Sequence, residues 1–254
     1  MTKIISWNVN GIRAAQKKGF LDWLAKESPD IIGLQETKAH PEQLDLFLTQ
    51  HEHYHTYWSM PERKGYSGVA IFSKEKPKNV SLGFCVPKFD CEGRVIQADY
   101  DDFSFLSIYF PNGKSRDERL QYKMDFYSET MQYIKKLKKK QPRIIISGDY
   151  NTAHKEIDLA RPKENRDVSG FLPMECAWLD DWVKAGHVDV FREFNKEPNQ
   201  YTWWDMKSFA RDRNVGWRID YHFATDAIAG DVKKAWNLTD VMGSDHCPVA
   251  IELK

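Results

Sequence analysis

Arg143–Asn151 reads RIIISGDYN, and most of the architecture can be worked out from this segment. Its three consecutive isoleucines form a short apolar run, which is typical of a strand covered on both faces. Gly148, Asp149 and Asn151 follow at once, so the run ends in a carboxylate and an amide. The pattern predicts a buried strand whose end presents polar side chains.

Other short apolar segments repeat this organisation along the chain. We predict further strands at Lys3–Trp7, Ile31–Gln35, Gly68–Ser73, Arg94–Asp99, Phe103–Tyr109, Arg218–Phe223 and Pro248–Leu253, beside the one at Arg143–Ser147. Helical patterns separate them at Gly19–Glu27, Pro41–His51, Arg116–Lys140 and Pro173–Ala185. No Pro/Gly/Ser-rich linker or internal repeat interrupts the sequence. It therefore predicts one α/β domain over residues 1–254, with mixed sheets and outer helices.

Composition and charge limit the class of protein. The 254 residues include 37 Lys+Arg and 37 Asp+Glu, and 41% are hydrophobic. This composition excludes a disordered chain, and the zero net charge argues against a general basic coat for nucleic acid. The apolar runs are far shorter than the roughly 18 residues of a membrane span, so we expect no membrane partner. No export signal precedes the first strand, which predicts a cytoplasmic protein, associated with the nucleoid if DNA is its substrate.

Two patterns that resemble structural metal sites are weak. The four cysteines form no C-x-x-C pair, which favours reduced thiols over a zinc site. His51, His53 and His55 alternate in HEHYH, but no carboxylate or cysteine cluster accompanies them. A solvated histidine face is the preferred interpretation.

Polar residues stand repeatedly where a predicted strand ends: Asn8, Glu36, Tyr109, Asp149, Asn151, Asp220, Asp245 and His246. Such side chains converge when their strands share a sheet. Oxygen ligands without cysteine suit a hard cation such as Mg²⁺ or Mn²⁺. Taken singly, an Asp after a strand is more often a helix N-cap or turn residue. The joint occurrence at six strand ends favours a metal-dependent phosphoryl hydrolase.

Eight motifs then occur in order: SWNVNG (Ser6–Gly11), LQETK (Leu34–Lys38), SGVAIFSK (Ser67–Lys74), YFPNG (Tyr109–Gly113), GDYNTAHKEIDLARPKEN (Gly148–Asn165), SGFLPME (Ser169–Glu175), NVGWRIDY (Asn214–Tyr221) and GSDHCPV (Gly243–Val249). Together they resemble the exonuclease III family of abasic-site endonucleases, within the endonuclease/exonuclease/phosphatase superfamily. The resemblance extends from about Lys3 to Leu253. It implies a four-layer α/β sandwich, in which two packed mixed β-sheets are flanked by helices.

The resemblance also implies an activity. It is the incision of duplex DNA on the 5′ side of an abasic site, leaving a 3′-hydroxyl, with Mg²⁺ as cofactor and Mn²⁺ as a substitute. Removal of blocked 3′ ends and 3′–5′ exonuclease digestion are related activities. The implied partner is double-stranded DNA with abasic sites or 3′ ends, on which the protein acts as a monomer.

By the same resemblance, the strand-end residues receive roles. Glu36 is similar to the principal Mg²⁺ ligand, with Asn8 beside it, and Asp245 is similar to a residue that neighbours the metal. Asp149 resembles the residue that orients or deprotonates the attacking water. Asn151 helps to place that water and the phosphate, and both Asp149 and Asn151 are also expected close to the metal.

The remaining strand-end residues resemble phosphate-handling groups. His246 resembles a phosphate-binding histidine that Asp220 holds in place. Tyr109 resembles a tyrosine that contacts the phosphate or supports the leaving oxygen, and Asn112 follows in the same loop as a substrate-binding residue. Asn10 stands where other members carry Asp, so we expect it to bind substrate rather than metal.

Three apolar residues fall at positions that resemble the family's abasic pocket: Trp203, Trp217 and Ile219. A small apolar pocket fits a flipped-out sugar that lacks its base and excludes an intact nucleotide by size. For a tryptophan in a sequence with nine of them, ordinary core packing is the alternative.

Basic residues on predicted loops are candidates for phosphate contacts or for plain surface charges: Lys64, Lys114, Arg116, Arg211 and Arg213. Lys114–Arg143 holds ten basic residues against four acidic ones. The zero net charge of the whole chain therefore conceals an uneven charge distribution, which is compatible with a DNA-facing side. Within this segment, the five lysines of Lys135–Lys140 indicate a solvated helix C-terminus, with a phosphate-binding patch as the alternative.

Two other functions compete with this interpretation. A non-specific DNase or an inositol-phosphate phosphatase of the same superfamily would share Glu36, Asp149, Asn151 and His246, but should lack NVGWRIDY and LARPKEN. A catalytically silent DNA-binding module would lack a metal or base residue, and every such position is filled.

Overall fold

Two six-stranded sheets form the centre of the molecule in the computed structural model, which describes residues 1–114 and 117–254. The strands are β1 (Thr2–Asn8), β2 (Ile31–Gln35), β3 (His55–Ser59), β4 (Val69–Ser73), β5 (Asn79–Leu82), β6 (Val95–Asp99), β7 (Ser104–Tyr109), β8 (Ile144–Asp149), β9 (His187–Asp189), β10 (Trp203–Trp204), β11 (Gly216–Trp217), β12 (Asp220–Thr225), β13 (Val232–Asn237) and β14 (Val249–Leu253). The helices are α1 (Ile12–Lys17), α2 (Phe20–Glu27), α3 (Leu46–Thr49), α4 (Pro87–Asp90), α5 (Asp117–Leu137), α6 (Pro173–Lys184), α7 (Val190–Phe194) and α8 (Asp226–Ala229). The first sheet has the order β13-β14-β1-β2-β4-β3, the second β5-β6-β7-β8-β12-β9, and β10 pairs with β11 in a separate ribbon.

The central strands of both sheets end on the same side of the molecule. β1 and β2 are parallel partners, so Asn8 and Glu36 come to one edge of the first sheet. β7 and β8 are also parallel, and Tyr109 lies opposite Asp149. β12 runs antiparallel to β8, which places its first residue, Asp220, opposite Asp149.

The sequence prediction of a four-layer α/β sandwich is confirmed. The inner faces of the two sheets share one apolar cluster, to which Ile71 and Ile145 contribute with no exposed surface. α2 covers the outer face of the first sheet through Phe20 and Leu24. α5 and α6 cover the outer face of the second sheet, where Phe126 is fully buried.

All eight predicted strands are present, within two residues of their predicted bounds. Of the strands in the two large sheets, the prediction missed β3, β5, β9 and β13. These four are the edge strands of the two sheets. An edge strand is covered on fewer sides than a central one, so it lacks the continuous apolar run on which the prediction depended.

The helix predicted at Pro41–His51 is wrong. The segment contains a 3₁₀ turn at Pro41–Gln43 and the short α3, and Leu44 and Asp45 between them have extended backbone. Asp45 caps α3, since its side chain accepts a hydrogen bond from the backbone nitrogen of Phe47 at 3.0 Å. The other three predicted helices are α2, α5 and α6, and the first residue predicted for the α5 segment, Arg116, lies outside the described residues.

The basic residues of Lys114–Arg143 do not share one side of the molecule, since Lys114 lies 5.2 Å from the centroids of the Trp203 and Trp217 rings. α5 runs away from the strand ends, and Lys138 donates a hydrogen bond to the Ala185 carbonyl at 3.0 Å. Ala185 lies next to the start of β9, which pairs with the far end of β12. The lysines of Lys135–Lys140 are therefore at the opposite end of the sheet from Asp149, and Lys123 is fully buried.

Three further expectations concern membrane spans, the alternating histidines and the cysteines. None of the helices within 1–114 and 117–254 is both long and apolar enough to cross a membrane. His51 and His53 lie in the turn before β3 rather than on one strand face, and His53 donates its backbone N–H to His51 Nδ1 at 3.1 Å. The four cysteines are free thiols.

Candidate active site

A cleft of about 330 Å³ opens where the central strands of both sheets end. Most of the predicted site residues line it: Asn10, Glu36, Tyr109, Asn112, Asp149, Asn151, Trp203, Trp217, Ile219, Asp245 and His246. The other two, Asn8 and Asp220, are buried and hydrogen-bonded to residues of the lining. The structure thus brings together every predicted site residue.

Glu36, Asp149 and His246 form a compact group of ligand atoms, all within 4.8 Å of one another. Asn8 holds the two carboxylates side by side, because its Nδ2 donates to Glu36 Oε1 and to Asp149 Oδ2, both at 2.9 Å. Its own oxygen accepts the backbone N–H of Asn10 at 3.0 Å. Asn8 therefore presents its amide NH₂ group, and not an oxygen, to the carboxylates.

The backbone bends sharply where these side chains enter the cleft. Asn10, Glu36 and Asn151 have positive φ angles of 45°, 52° and 52°. The left-handed region costs an L-residue roughly 1–2 kcal/mol, and Asn tolerates it better than Glu. Backbone strain of this kind clusters at functional sites, where the surrounding structure holds it in place. Nothing in the local sequence predicts it for Glu36.

His246 is held by a buried carboxylate. Its Nδ1 lies 2.9 Å from Asp220 Oδ2, which also accepts a 2.6 Å hydrogen bond from Thr202 Oγ1. Its Nε2 lies 3.9 Å from Asp149 Oδ2. Burial acts to lower the pKa of His246, but Asp220 and then Asp149 outweigh it and raise the pKa above the ordinary value. The imidazole is therefore a positive charge inside the cleft at neutral pH.

The two carboxyl groups have opposite pKa shifts. Burial, followed by repulsion from Asp220, raises the pKa of Asp149. Burial acts in the same direction on Glu36, but Lys38 and the Asn8 hydrogen bond outweigh it and lower the pKa of Glu36. Lys38 Nζ is 2.7 Å from Glu36 Oε2. The shifts therefore favour the ionised form of Glu36 and the protonated form of Asp149.

The polar wall of the cleft is tied together by amides. Asn151 donates its backbone N–H to Asp149 Oδ1 at 2.8 Å and its Nδ2 to the Phe110 carbonyl at 2.9 Å. Its side-chain oxygen accepts from Asn112 Nδ2 at 3.1 Å. The Arg94 guanidinium carbon lies 4.6 Å from the centroid of the Tyr109 ring. Burial raises the pKa of the Tyr109 hydroxyl, so this hydroxyl stays a hydrogen-bond donor at neutral pH.

The opposite wall is apolar. The rings of Trp203 and Trp217 meet edge to face with centroids 6.5 Å apart, and they pack with Ile219, Phe171 and Leu159. Lys114 Nζ lies 5.2 Å from the centroid of each tryptophan ring, and burial lowers the pKa of this lysine.

Asp245 connects the two walls. One of its oxygens accepts the Trp203 indole N–H at 3.0 Å, and the other accepts Asn10 Nδ2 at 2.8 Å. Asn10 is in turn bonded through its oxygen to Lys38 Nζ at 2.5 Å. Both oxygens of Asp245 thus have donors, and Asp245 is not part of the compact ligand group.

Sequence reasoning missed several residues that organise the site. Lys38 was visible in LQETK, two positions after Glu36, whereas Thr202 and Arg94 gave no signal.

Two of the basic loop residues considered for phosphate contacts hydrogen-bond to main-chain carbonyls. The Arg211 guanidinium donates hydrogen bonds to three of them: those of Thr239, Val241 and Ser244. Arg213 likewise donates to the Ser208 carbonyl at 2.8 Å. Lys64 is exposed, and Arg116 lies outside the described residues.

The family model, the related sequences and a solved structure similar to this chain all point to nucleases of one family. Residues 5–246 match the model of the Endonuclease/Exonuclease/phosphatase family. The chain is 44% identical over 251 residues to an exodeoxyribonuclease of Bacillus subtilis, covering 98% of both chains, and 41% identical over 254 residues to the DNA repair nuclease APEX1 of Danio rerio, covering 99% of this chain and 82% of that one. It superposes on the structure of an AP endonuclease from Archaeoglobus fulgidus with a TM-score of 0.91, at 29% identity and full coverage of both chains.

Proposed function

Because the chain belongs to the Endonuclease/Exonuclease/phosphatase family and is a DNA repair nuclease, we propose that its cleft hydrolyses the phosphodiester bond on the 5′ side of an abasic site in duplex DNA. The product would carry a 3′-hydroxyl. One observation carries this proposal: the group of Glu36, Asp149 and His246 shares a single cleft with the apolar wall of Trp203 and Trp217. A phosphoryl-transfer centre and a pocket for a baseless sugar are what this reaction requires.

The donor set supports a divalent cation, with Mg²⁺ as the physiological ion and Mn²⁺ as a substitute. Glu36, which is ionised, would be its principal ligand, with Asp149 beside it. Asn8 would orient the two carboxylates rather than bind the ion, since its NH₂ group faces them. Asp245 would act at a distance, through Asn10 and Trp203. A bound cation would supply positive charge to the phosphate and its leaving oxygen.

The protein's own residues would move the proton and balance the charge. Asp149 would accept a proton from the attacking water, because its raised pKa matches a general base better than an ordinary carboxylate. Protonated His246 would stabilise the developing charge on a phosphate oxygen, and Asp220 would keep its Nδ1–H in place. Asn151, Asn112 and the Tyr109 hydroxyl would hold the remaining phosphate oxygens and the leaving 3′-oxygen.

The apolar wall would select the lesion. Trp203, Trp217 and Ile219, which pack together, would offer contact area to a flipped-out deoxyribose and would exclude an intact nucleotide by size. Removal of blocked 3′ ends and 3′–5′ exonuclease digestion would use the same centre, with the terminal nucleotide entering from the end of a duplex.

Basic groups beside the cleft would follow the DNA backbone. A groove lined by Arg13, Lys17 and Lys38 lies next to Glu36, the proposed principal metal ligand, because Lys38 also contacts Glu36. One chain supplies every residue of the centre, so we expect a monomer, acting in the cytoplasm where nucleoid DNA lies.

The test offers one preparation three substrates: an abasic duplex, an undamaged duplex with a recessed 3′ end, and an inositol phosphate. We expect Mg²⁺-dependent incision of the first that EDTA abolishes, digestion of the second, and no hydrolysis of the third. Asp149→Asn should remove nearly all incision while DNA binding stays measurable. Hydrolysis of the inositol phosphate with an intact abasic duplex would contradict the proposal. Retention of more than about a tenth of the activity by the variant would exclude Asp149 as the base.

A further inference from the structure

We infer that a buried ion pair between Lys123 and Glu175 positions both the loop that carries Asn151 and the apolar wall of the cleft. Neither side chain lines the cleft, so both are positioning residues. The part of the inference that concerns lesion selection rests on the proposed function. The part that concerns the rate of hydrolysis rests only on the nuclease activity.

Lys123 acts on the catalytic loop. It lies on α5 with no exposed surface, and its Nζ donates to Glu175 Oε1 at 2.6 Å, to the Asn151 carbonyl at 2.8 Å and to Thr152 Oγ1 at 2.8 Å. All three ammonium hydrogens therefore have acceptors. One of these hydrogen bonds holds the backbone of Asn151, which has a left-handed conformation, and another holds the side chain of the next residue, Thr152.

Glu175 acts on the apolar wall. It lies on α6, also with no exposed surface, and its Oε2 accepts the backbone N–H groups of Gly170 at 2.6 Å and Leu172 at 3.0 Å. Its Oε1 accepts Ser169 Oγ at 3.0 Å. Gly170 packs so closely on the indole of Trp217 that a Cβ there would lie 3.2 Å from the ring. The carboxylate thus sets the distance between this loop and the pocket tryptophan.

A contribution to folding stability does not by itself explain why a buried ion pair occupies this position. Replacing a buried ion pair with neutral groups of similar volume often leaves a protein equally stable, because desolvation offsets the attraction between the charges. What a fully hydrogen-bonded buried network provides is one fixed geometry. Here the network joins α5 and α6 to the two loops that form opposite parts of the cleft.

The experiment compares Lys123→Met, Glu175→Gln and the double variant with wild type. It measures kcat and KM for an abasic duplex, the ratio of abasic to undamaged cleavage, and Tm. Ile134→Ala, a fully buried change on the same helix, is the control for loss of stability. We expect Lys123→Met to lower kcat by about 10- to 100-fold, as losses of supporting contacts around an active site do, with KM changed by less than about threefold. We expect Glu175→Gln to lower the abasic-to-undamaged ratio by about tenfold.

The double variant separates positioning from stability. Because it leaves no unpaired charge, its Tm should return close to that of wild type, while kcat and selectivity stay low. Recovery of kcat together with Tm would overturn the inference, as would single variants whose losses merely follow the unfolded fraction seen with Ile134→Ala. If wild type digests the recessed 3′ end but leaves the abasic duplex intact, the proposed function fails instead, and kcat on the recessed end still tests Lys123.

Discussion

His222 should make the stability of the fold depend on pH in the acid range. This buried side chain on β12 lies between the two sheets: its Nδ1 is 2.6 Å from Ser147 Oγ on β8, and its Nε2 is 3.0 Å from the Val249 carbonyl on β14 of the other sheet. Burial lowers the pKa of His222 from 6.5 to about 4, and the hydrogen bond to Val249 opposes this only in part. The unfolded chain therefore binds the proton first. The contribution of His222 to stability is complete above pH 6.5 and is lost as the pH falls towards 4.

The difference between 6.5 and about 4 sets the size of the effect. At about 1.4 kcal/mol for each pKa unit, neutral His222 contributes about 3.5 kcal/mol of unfolding free energy, most of which is lost by about pH 4. Urea unfolding between about pH 7.5 and 4.5 measures it, in wild type and in His222→Gln, whose amide can keep both hydrogen bonds but does not titrate. Wild type should lose most of that amount relative to the variant, and the exposed control His53→Gln should follow wild type. Parallel profiles of wild type and His222→Gln would refute the reasoning.

Three substitutions test the site and its support. Trp217→Ala should weaken discrimination against undamaged duplex by about tenfold without changing the affinity for Mg²⁺, as measured by competition cleavage and calorimetry; unchanged selectivity would remove this residue from the pocket. Asp220→Asn should lower the pKa of His246, because Asp220 is the strongest of the groups that raise it. The alkaline limb of the pH–rate profile should therefore move to lower pH. An unmoved limb would argue against a role for protonated His246. Gly148→Ala should prevent folding, because its φ of 147° and the adjacent β7 carbonyl leave no space for a Cβ, whereas Gly230→Ala, in open space, should fold normally by circular dichroism.

The site could be predicted from the sequence to the extent that its residues follow buried strands. RIIIS before Asp149 and IIGLQ before Glu36 are continuous apolar runs, and such runs mark both the central strands and the points where they end. The edge strands gave no such signal: β5 is exposed at both ends and only partly buried between them, and β13 mixes buried, partly buried and exposed positions. This failure did not affect the site, since none of the cleft residues comes from an edge strand.

What the sequence could not show is how polar groups pair in three dimensions. On the helical pattern of α6, Glu175 reads as a surface charge, yet it is fully buried because Lys123 of α5 meets it. The orientation of Asn8 is another example, since an amide offers either an oxygen or an NH₂ group. The flanking carboxylates of Glu36 and Asp149 decide which one is used, and they come from different sheets.

The site residues come from both sheets, so the packing of one sheet on the other fixes the positions of the catalytic groups. Asn8 is the last residue of β1 and Glu36 follows β2, both in the first sheet, whereas Asp149 and Asp220 belong to the second. Two hydrogen bonds join the two groups: Asn8 to Asp149 at 2.9 Å, and His246, which precedes β14, to Asp220 at 2.9 Å. A shift of one sheet against the other by about 1 Å would break both, and misplacement of this size can cost a reaction about a hundredfold. His222 bridges the same two sheets only two residues from Asp220, so its protonation should lower activity before the protein unfolds globally.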